Sequence, residues 1–486
     1  MLVNRLHHPT ARRAGIAILF AAVGAAPLAL AQANPSSATN AFNGSVTAQP
    51  VTDEELKLSL DDAVRRGLDT NLGLKQAEYA EMSLRGQYNQ AVQEFLPTIK
   101  LTGDTGYHVY NLAAQGFGPG FVSQILPLLP PGTDLSGLSF ITRAQVTEGQ
   151  VHYDQTLFSG PVIAGYKAAG AGTRAAYFAK MSARGEVVQQ VASSYLRAIA
   201  SASAVENARA LEEADRVAYN HARDARLAGT AANLDELRAR VQYQTQQQQR
   251  IAAENAFEKD LILLKRQIGL DPGQKIVLTD RAPYSELAAQ TPEEVRAIAY
   301  KSRQDYQNLQ NQVVELRAVN QAYKAQRLPT LSFHGYYGVT EVASIGAHGN
   351  FAAIGELKFP IFREAELRGG IDASRAQVDS ARAQLDDLRV KIDQQVRSAL
   401  LDVTANAKLV DVARSNVDLA TRALSDETER VNAGVDDTLP LVTAQASLAS
   451  AENNFVGSLY QFNLSKLALA RAAGVLEQQY RDYLGR

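Results

Sequence analysis

Residues 95–107 read FLPTIKLTGDTGY, and residues 327–339 read RLPTLSFHGYYGV. Each begins Leu-Pro-Thr-aliphatic and then alternates apolar with polar side chains, the period-2 signature of a strand. Pro97 and Pro329 stand at a strand's first position, where a missing N–H is harmless, and each turns the preceding residue away from helix. Nearly everything around the two stretches has helical periodicity. Each therefore marks a switch from helix to strand, and the shared wording points to a duplicated chain.

Further matches support the duplication. NLGL (71–74) aligns with RQDY (303–306) at an offset of 232, the offset of the two Leu-Pro-Thr segments. Leu157-Phe158 then aligns with Ile361-Phe362 at 204, LAGTAANLDELRARV (227–241) with NAGVDDTLPLVTAQA (432–446) at 205, and Gly269 with Gly474 at 205. The drop in offset, about 27 residues, marks extra length between the two strands of the first half. Each half reads helix, strand, loop, strand, very long helix, glycine turn, helix. The organisation expected is a signal peptide at 1–31, a flexible segment at 32–55, a first repeat at 56–284 and a second at 285–486. The strands fall at about 96–110, 143–158, 328–342 and 350–362.

The long helices are expected at 160–229, with no Pro after Pro161, and at 363–434, with none at all. Ile392, Val396, Ala399, Val403, Val410, Val417, Ala420 and Leu424 recur mostly by threes, fours and sevens, as in a coiled-coil seam. A helix of this size runs about 100 Å. The leader is expected because Arg5, Arg12 and Arg13 precede the apolar run 14–31, which ends in Ala29-Leu30-Ala31. Its removal takes away three Arg and no acid, moving the formal charge from −2 to −5. No later segment has 18 unbroken apolar residues.

Composition excludes several functions. The absence of Cys excludes disulfides, thiolate metal sites, a Cys nucleophile and a lipidated N-terminal Cys. Near-neutral charge gives no argument for nucleic acid. GFGPG (116–120) lacks the strand-to-helix setting and following Lys of a phosphate loop. There is no GxSxG and no HExxH, and the seven histidines are scattered, two of them in the expected leader, so no enzyme, cofactor or metal is expected. The long helices by themselves also fit a soluble periplasmic coiled-coil scaffold, which leaves the strands and the leader unexplained.

The strands have two faces. Ile99, Leu101, Tyr107 and Val109 alternate with Lys100, Thr102, Asp104 and His108; Val151, Tyr153 and Leu157 with His152, Asp154 and Thr156. Leu331, Phe333, Tyr337 and Val339 alternate with Ser332, His334 and Thr340; Phe351, Leu357, Phe359 and Ile361 with Glu356 and Lys358. Such strands fit a small sheet packed on helices or a bilayer-crossing barrel with aromatic girdles. The leader and the lack of an apolar helix favour the barrel. Four strands cannot close one, and lipid tolerates no open edge, so several protomers must share it; three copies give twelve strands and a lumen.

The chain resembles the TolC family of outer membrane efflux proteins over about residues 56–480. The resemblance lies in LSLDDAV and NLGL, the two LPT strand starts, Phe158-Ser159-Gly160 entering a long helix, the paired RLAGTAANLDEL and RVNAGVDDTLPLVTAQ turns, and Gly269 and Gly474. It implies a mainly α fold with a small β part: duplicated helical hairpins forming a tunnel, and four strands per protomer in a trimeric twelve-stranded transmembrane β-barrel. It implies a homotrimer in the cell outer membrane with a periplasmic helical extension. Such a trimer is the passive exit duct of a tripartite efflux or type I secretion system. Its partners would be outer membrane lipid, a periplasmic adaptor and, indirectly, an inner-membrane pump.

By the same resemblance, the hairpin tips Ala228-Gly229-Thr230 and Ala433-Gly434-Val435 match a Val-Gly-x motif tied to adaptor contact, with Ala replacing Val in both. A sharp reversal calls for Gly in any case, so plain helix capping remains open. Family members place acids just past the second turn, where this chain has Pro440 and Thr443. Asp436 and Asp437 lie nearer the turn, and Asp235 occupies the first hairpin. Threefold rings of such carboxylates would favour cations, unless they are simply solvated tips. Segment 111–140 is expected outside the cell, its apolar ILPLLPP suggesting a lid.

Overall fold

The computed structural model describes residues 39–485 apart from 136, 138, 281–283, 343–345 and 434–437. The expected leader at 1–31 lies outside the described residues. The first half runs β1 (Leu56–Leu58), α1 (Leu60–Thr70), α2 (Leu72–Gln93), β2 (Thr98–Asn111), α3 (Pro119–Ile125), β3 (Ile141–Phe158), α4 (Gly160–Leu227), α5 (Asn233–Gln267) and β4 (Ile276–Leu278). The second runs α6 (Pro292–Ser302), α7 (Gln304–Ala325), β5 (Thr330–Val342), β6 (Gly346–Lys358), α8 (Glu364–Asn432), α9 (Thr438–Ala473) and α10 (Leu476–Leu484). β2 and β5 each start at the Thr after the Pro. β6 stops at Lys358, short of the 362 read from the sequence, because Pro360 has no N–H to continue a ladder.

Local signals set the helix ends. The Ser59 side chain accepts a hydrogen bond from Asp62 N at 3.2 Å, and Asp61 and Asp62 lie in the first turn of α1, where the helix dipole favours acids. Asn71 caps α2 through Gly73 N and Leu74 N. Thr291 and Glu294 cap α6 reciprocally, with Pro292 in its first turn. α4 has 68 residues and α8 has 69, each about 100 Å long. α4 and α5 form one antiparallel hairpin, α8 and α9 the other. In the seam of α8, Ile392, Val396, Ala399, Val403 and Val410 are buried, whereas Val417, Ala420 and Leu424 are half-buried.

The core lies midway along the long helices. Val187, Val191 and Tyr195 of α4, Ile392 and Val396 of α8, Leu264 of α5 and Leu467 and Leu469 of α9 meet Leu60 of α1 and Leu476 and Leu484 of α10. The parallel pair β1–β4 covers this region, and the Tyr195 hydroxyl lies 2.8 Å from both Leu58 O and Asp280 Oδ2.

The expectation of a flexible segment at 32–55 needs correcting for residues 39–55, which are pinned to this core. Val46 N donates to Thr70 O, Gln49 N to Gly269 O and Thr52 N to Gln274 Oε1. Asn43 is buried, its Oδ1 accepting from Gln190 Nε2 and Gln267 Nε2. The segment is poor in apolar residues because hydrogen bonds hold it, so its composition resembled a solvated linker. Segment 111–140 contains α3 and short helical turns at Leu112–Gln115 and Leu126–Leu128, with Phe117 edge-on to Phe121 at 5.2 Å.

Candidate functional site: the four-stranded sheet and the hairpin tips

β2, β3, β5 and β6 form one antiparallel sheet in that order, leaving β2 and β6 as open edges. The register pairs Ile99 with Tyr153, Leu101 with Val151, Val151 with Tyr337 and Tyr337 with Phe351, placing these side chains on one face. A bulge between Thr156 and Phe158 shifts the register and sets Phe158 opposite Leu331. The face is not covered by a helix: Leu101 is 81% exposed and Phe351 76%.

Toward the β2–β3 loop this face becomes mixed. The Thr105 and Thr147 hydroxyls lie 3.0 Å apart, and beyond them Tyr107 and Val109 of β2 stand opposite Gln145 and Arg143 of β3. Along β5 the apolar band spans about nine residues, from Leu331 to Val339. At about 3.3 Å per residue and a tilt near 40°, that is a height of roughly 23 Å, close to the apolar band of a membrane barrel. Among the described residues, no helix is long and apolar enough to cross a membrane.

The opposite face is mainly polar, although it also carries Ile354 opposite His334. Near the helix end of the sheet it carries Lys100 and Thr102 of β2, His152 and Asp154 of β3, Ser332 and His334 of β5, and Glu356 and Lys358 of β6. An apolar face, a polar face and two open edges leave a sheet that does not close on itself.

At the far end of α4, the first hairpin turns through Ala228-Gly229-Thr230. Gly229 has φ +76°, its N–H donates to Arg226 O, and Thr230 N donates to Ala225 O at 2.9 Å. This pairing closes the helix with two of its last carbonyls satisfied, and it requires a left-handed residue. Arg226 in the last turn of α4 pairs with Glu236 in the first turn of α5, each charge complementing its own helix dipole. Asp235 pairs with Arg238 at 3.7 Å. In the second hairpin, Ala433 N donates to Glu429 O and Val431 O. Gly434, Val435, Asp436 and Asp437 lie outside the described residues. Pro440 is half-buried; Thr443 is exposed and its carbonyl accepts from Ser447 Oγ at 2.8 Å.

One group escaped the sequence reading. Asp215, on the α5 side of α4, is only 2% exposed, and neither carboxylate oxygen has a well-formed hydrogen bond. Burial pushes its pKa up to about 6, with the Gln242 amide giving partial relief. A single Asp in a helix that also carries solvated acids gives no sequence signal of burial.

The outer membrane efflux protein family model matches residues 64–270 and 296–475, one segment in each half. The chain belongs to the outer membrane efflux protein family. No curated protein matches. Among solved structures, the chain shares the fold of a Pseudomonas aeruginosa membrane protein at 20% identity and a TM-score of 0.73, over 85% of this chain and 93% of that one. It shares the fold of the Campylobacter jejuni CmeC outer membrane channel at 16% identity and 0.71, over 93% and 94%. The open Neisseria gonorrhoeae MtrE outer membrane channel is similar at 18% and 0.69, over 89% and 95%. The fold is therefore TolC-like, and the family is one of outer membrane efflux channels.

Proposed function

We propose that three copies of this chain form a passive exit duct, their twelve strands closing a barrel in the outer membrane and their hairpins a tunnel in the periplasm. The observation that carries this is the sheet, which has an uncovered apolar face of bilayer height and two unpaired edges. Pairing β2 of one protomer with β6 of the next satisfies both edges and puts every apolar face toward lipid. Twelve strands leave a lumen, where eight enclose only side chains.

Residues 1–31 direct export across the inner membrane, and 56–284 and 285–486 are two copies of one unit. The tips, Ala228-Gly229-Thr230 and Ala433-Gly434-Val435, receive the periplasmic adaptor, through which an inner-membrane pump is reached. Asp235, Asp436 and Asp437, with Pro440 and Thr443 nearby, set the periplasmic aperture. The duct carries out no chemistry and needs no cofactor.

The test is the purified oligomer. A duct requires detergent for extraction, migrates as a heat-labile trimer and shows threefold symmetry by cryo-electron microscopy. Extraction without detergent would instead establish the soluble scaffold, and any other symmetry would refute the twelve-stranded barrel.

A further inference from the structure

On the polar face, titratable side chains from all four strands form one continuous row. Lys100 Nζ of β2 lies 3.6 Å from Asp154 Oδ2 of β3. Asp154 Oδ1 lies 2.9 Å from His334 Nδ1 of β5. His334 Nε2 lies 3.4 Å from Glu356 Oε2 of β6 and 3.0 Å from Ser332 Oγ. Glu356 Oε2 meets Lys358 Nζ at 2.8 Å. His152 stands beside the row, 3.0 Å from Thr102 Oγ1 and with its ring 5.7 Å from that of Tyr336. These are the titratable and charged groups facing His334 from β2, β3, β5 and β6.

The row runs diagonally across the register, from Lys100 opposite His152 to Lys358 opposite Thr330, and each member lies within a few residues of the point where its strand joins its helix. It spans the protomer from the open β2 edge to the open β6 edge, with a lysine at each end. If the apolar face is the lipid face, as the proposed duct requires, this row faces the pore.

We propose that the row is a charge-selective girdle at the base of the barrel, with His334 as the member that changes its charge. With the imidazole neutral, two lysines balance two carboxylates. Protonation of His334 adds one positive charge per protomer and three around the ring. Histidine is the side chain suited to such a change near neutral pH. A neutral imidazole donates one N–H, whereas the protonated ring donates to both carboxylates. The permeant class is small inorganic ions and charged solutes, with anions favoured on the acid side.

The test uses the full-length oligomer in planar bilayers under a KCl gradient, with reversal potentials read at pH 8 and pH 5. Three charges about a dozen ångströms from the axis, screened over about 10 Å, predict a two- to threefold rise in the chloride-to-potassium permeability ratio from pH 8 to pH 5. His334→Gln should lose more than half of that rise. A wild-type ratio that does not move, or a variant that keeps the full rise, overturns the proposal. Should His334→Gln fail to assemble, the double variant Asp154→Asn, Glu356→Gln decides. It removes two negative charges per protomer and should raise the ratio at pH 8; an unchanged ratio overturns the girdle. Absence of any wild-type conductance would refute the duct itself, whereas conductance with pH-independent selectivity refutes only the girdle.

Discussion

Replacing Asp215 by Asn should remove a pH-dependent weakness from the first hairpin. Asp215 lies between two cross-helix contacts. On one side Glu212 pairs with Arg250 at 2.5 Å, and on the other Tyr219 stacks on Tyr243 at 6.2 Å. Across from it on α5 is Gln246, also buried, whose Oε1 has no partner. The folded carboxyl titrates at about 6 against an ordinary 3.8, so folding favours the protonated form. That stability is fully present below pH 4 and is lost as pH rises through 6. Fully expressed, the displacement corresponds to about 3 kcal/mol at 1.36 kcal/mol per pH unit. A hairpin only two helices thick is partly screened by water, which leaves about 1–2 kcal/mol. Asparagine keeps the shape, removes the charge and supplies a donor for Gln246. Hydrogen-exchange mass spectrometry on peptides from 205–255, corrected for chemical exchange rates, should show wild-type protection falling about 5- to 30-fold from pH 4 to pH 7.5. The Asn variant should hold constant. Equal pH dependence in both proteins, or none in wild type, would refute the argument.

Other consequences concern the two sheet faces and the glycine turns. Leu101→Lys places a charge on the uncovered apolar face and should cost about 2–4 kcal/mol of barrel stability, seen as loss of the heat-labile oligomer from the outer membrane. Thr102→Lys, one residue along and on the polar face, should assemble normally. Gly474 has φ +77°, and an added Cβ would fall 2.7 Å from Arg303 N and 2.8 Å from Arg303 Cα. Gly474→Ala should therefore cost about 3 kcal/mol or more and lower the melting temperature of the purified protein. Gly229→Ala meets the same backbone strain, φ +76°, with no atom within 4 Å, so its cost should stay near 1–2 kcal/mol and be confined to the tip.

The long helices and the strands were legible because both depend on periodicity along the chain. The seam from Ile392 to Val410 is buried as its spacing predicts, and the faces of β2, β5 and β6 follow their alternation. What the sequence could not reveal was lateral. Lys100, Asp154, His334 and Glu356 were each assignable to a polar face, but their alignment in one row depends on strand register, which no single strand encodes. Residues 39–55 were misread for a related reason, since a segment held by hydrogen bonds to backbone and to Gln190 and Gln267 has the composition of a linker.

The distribution of burial bears on assembly. The described protomer buries its largest apolar cluster where α1, α10 and the middles of α4 and α8 meet, within a single chain. The sheet has no such core: Leu101, Tyr107, Tyr337, Phe351 and Leu357 are each at least two-thirds exposed. Exposed apolar area at about 25 cal/mol per Å² is a driving force waiting for lipid, and the two open edges await strands. In the proposed trimer one event satisfies both needs, because a protomer inserted alone would carry unpaired N–H and C=O groups into hydrocarbon. Membrane insertion and oligomerisation are therefore coupled for the strands, while the helical core folds on its own contacts. Leu-Pro-Thr at 96–98 and 328–330 marks the boundary between these two regimes. On its helix side the chain buries its own surface, and on its strand side it depends on neighbours and membrane.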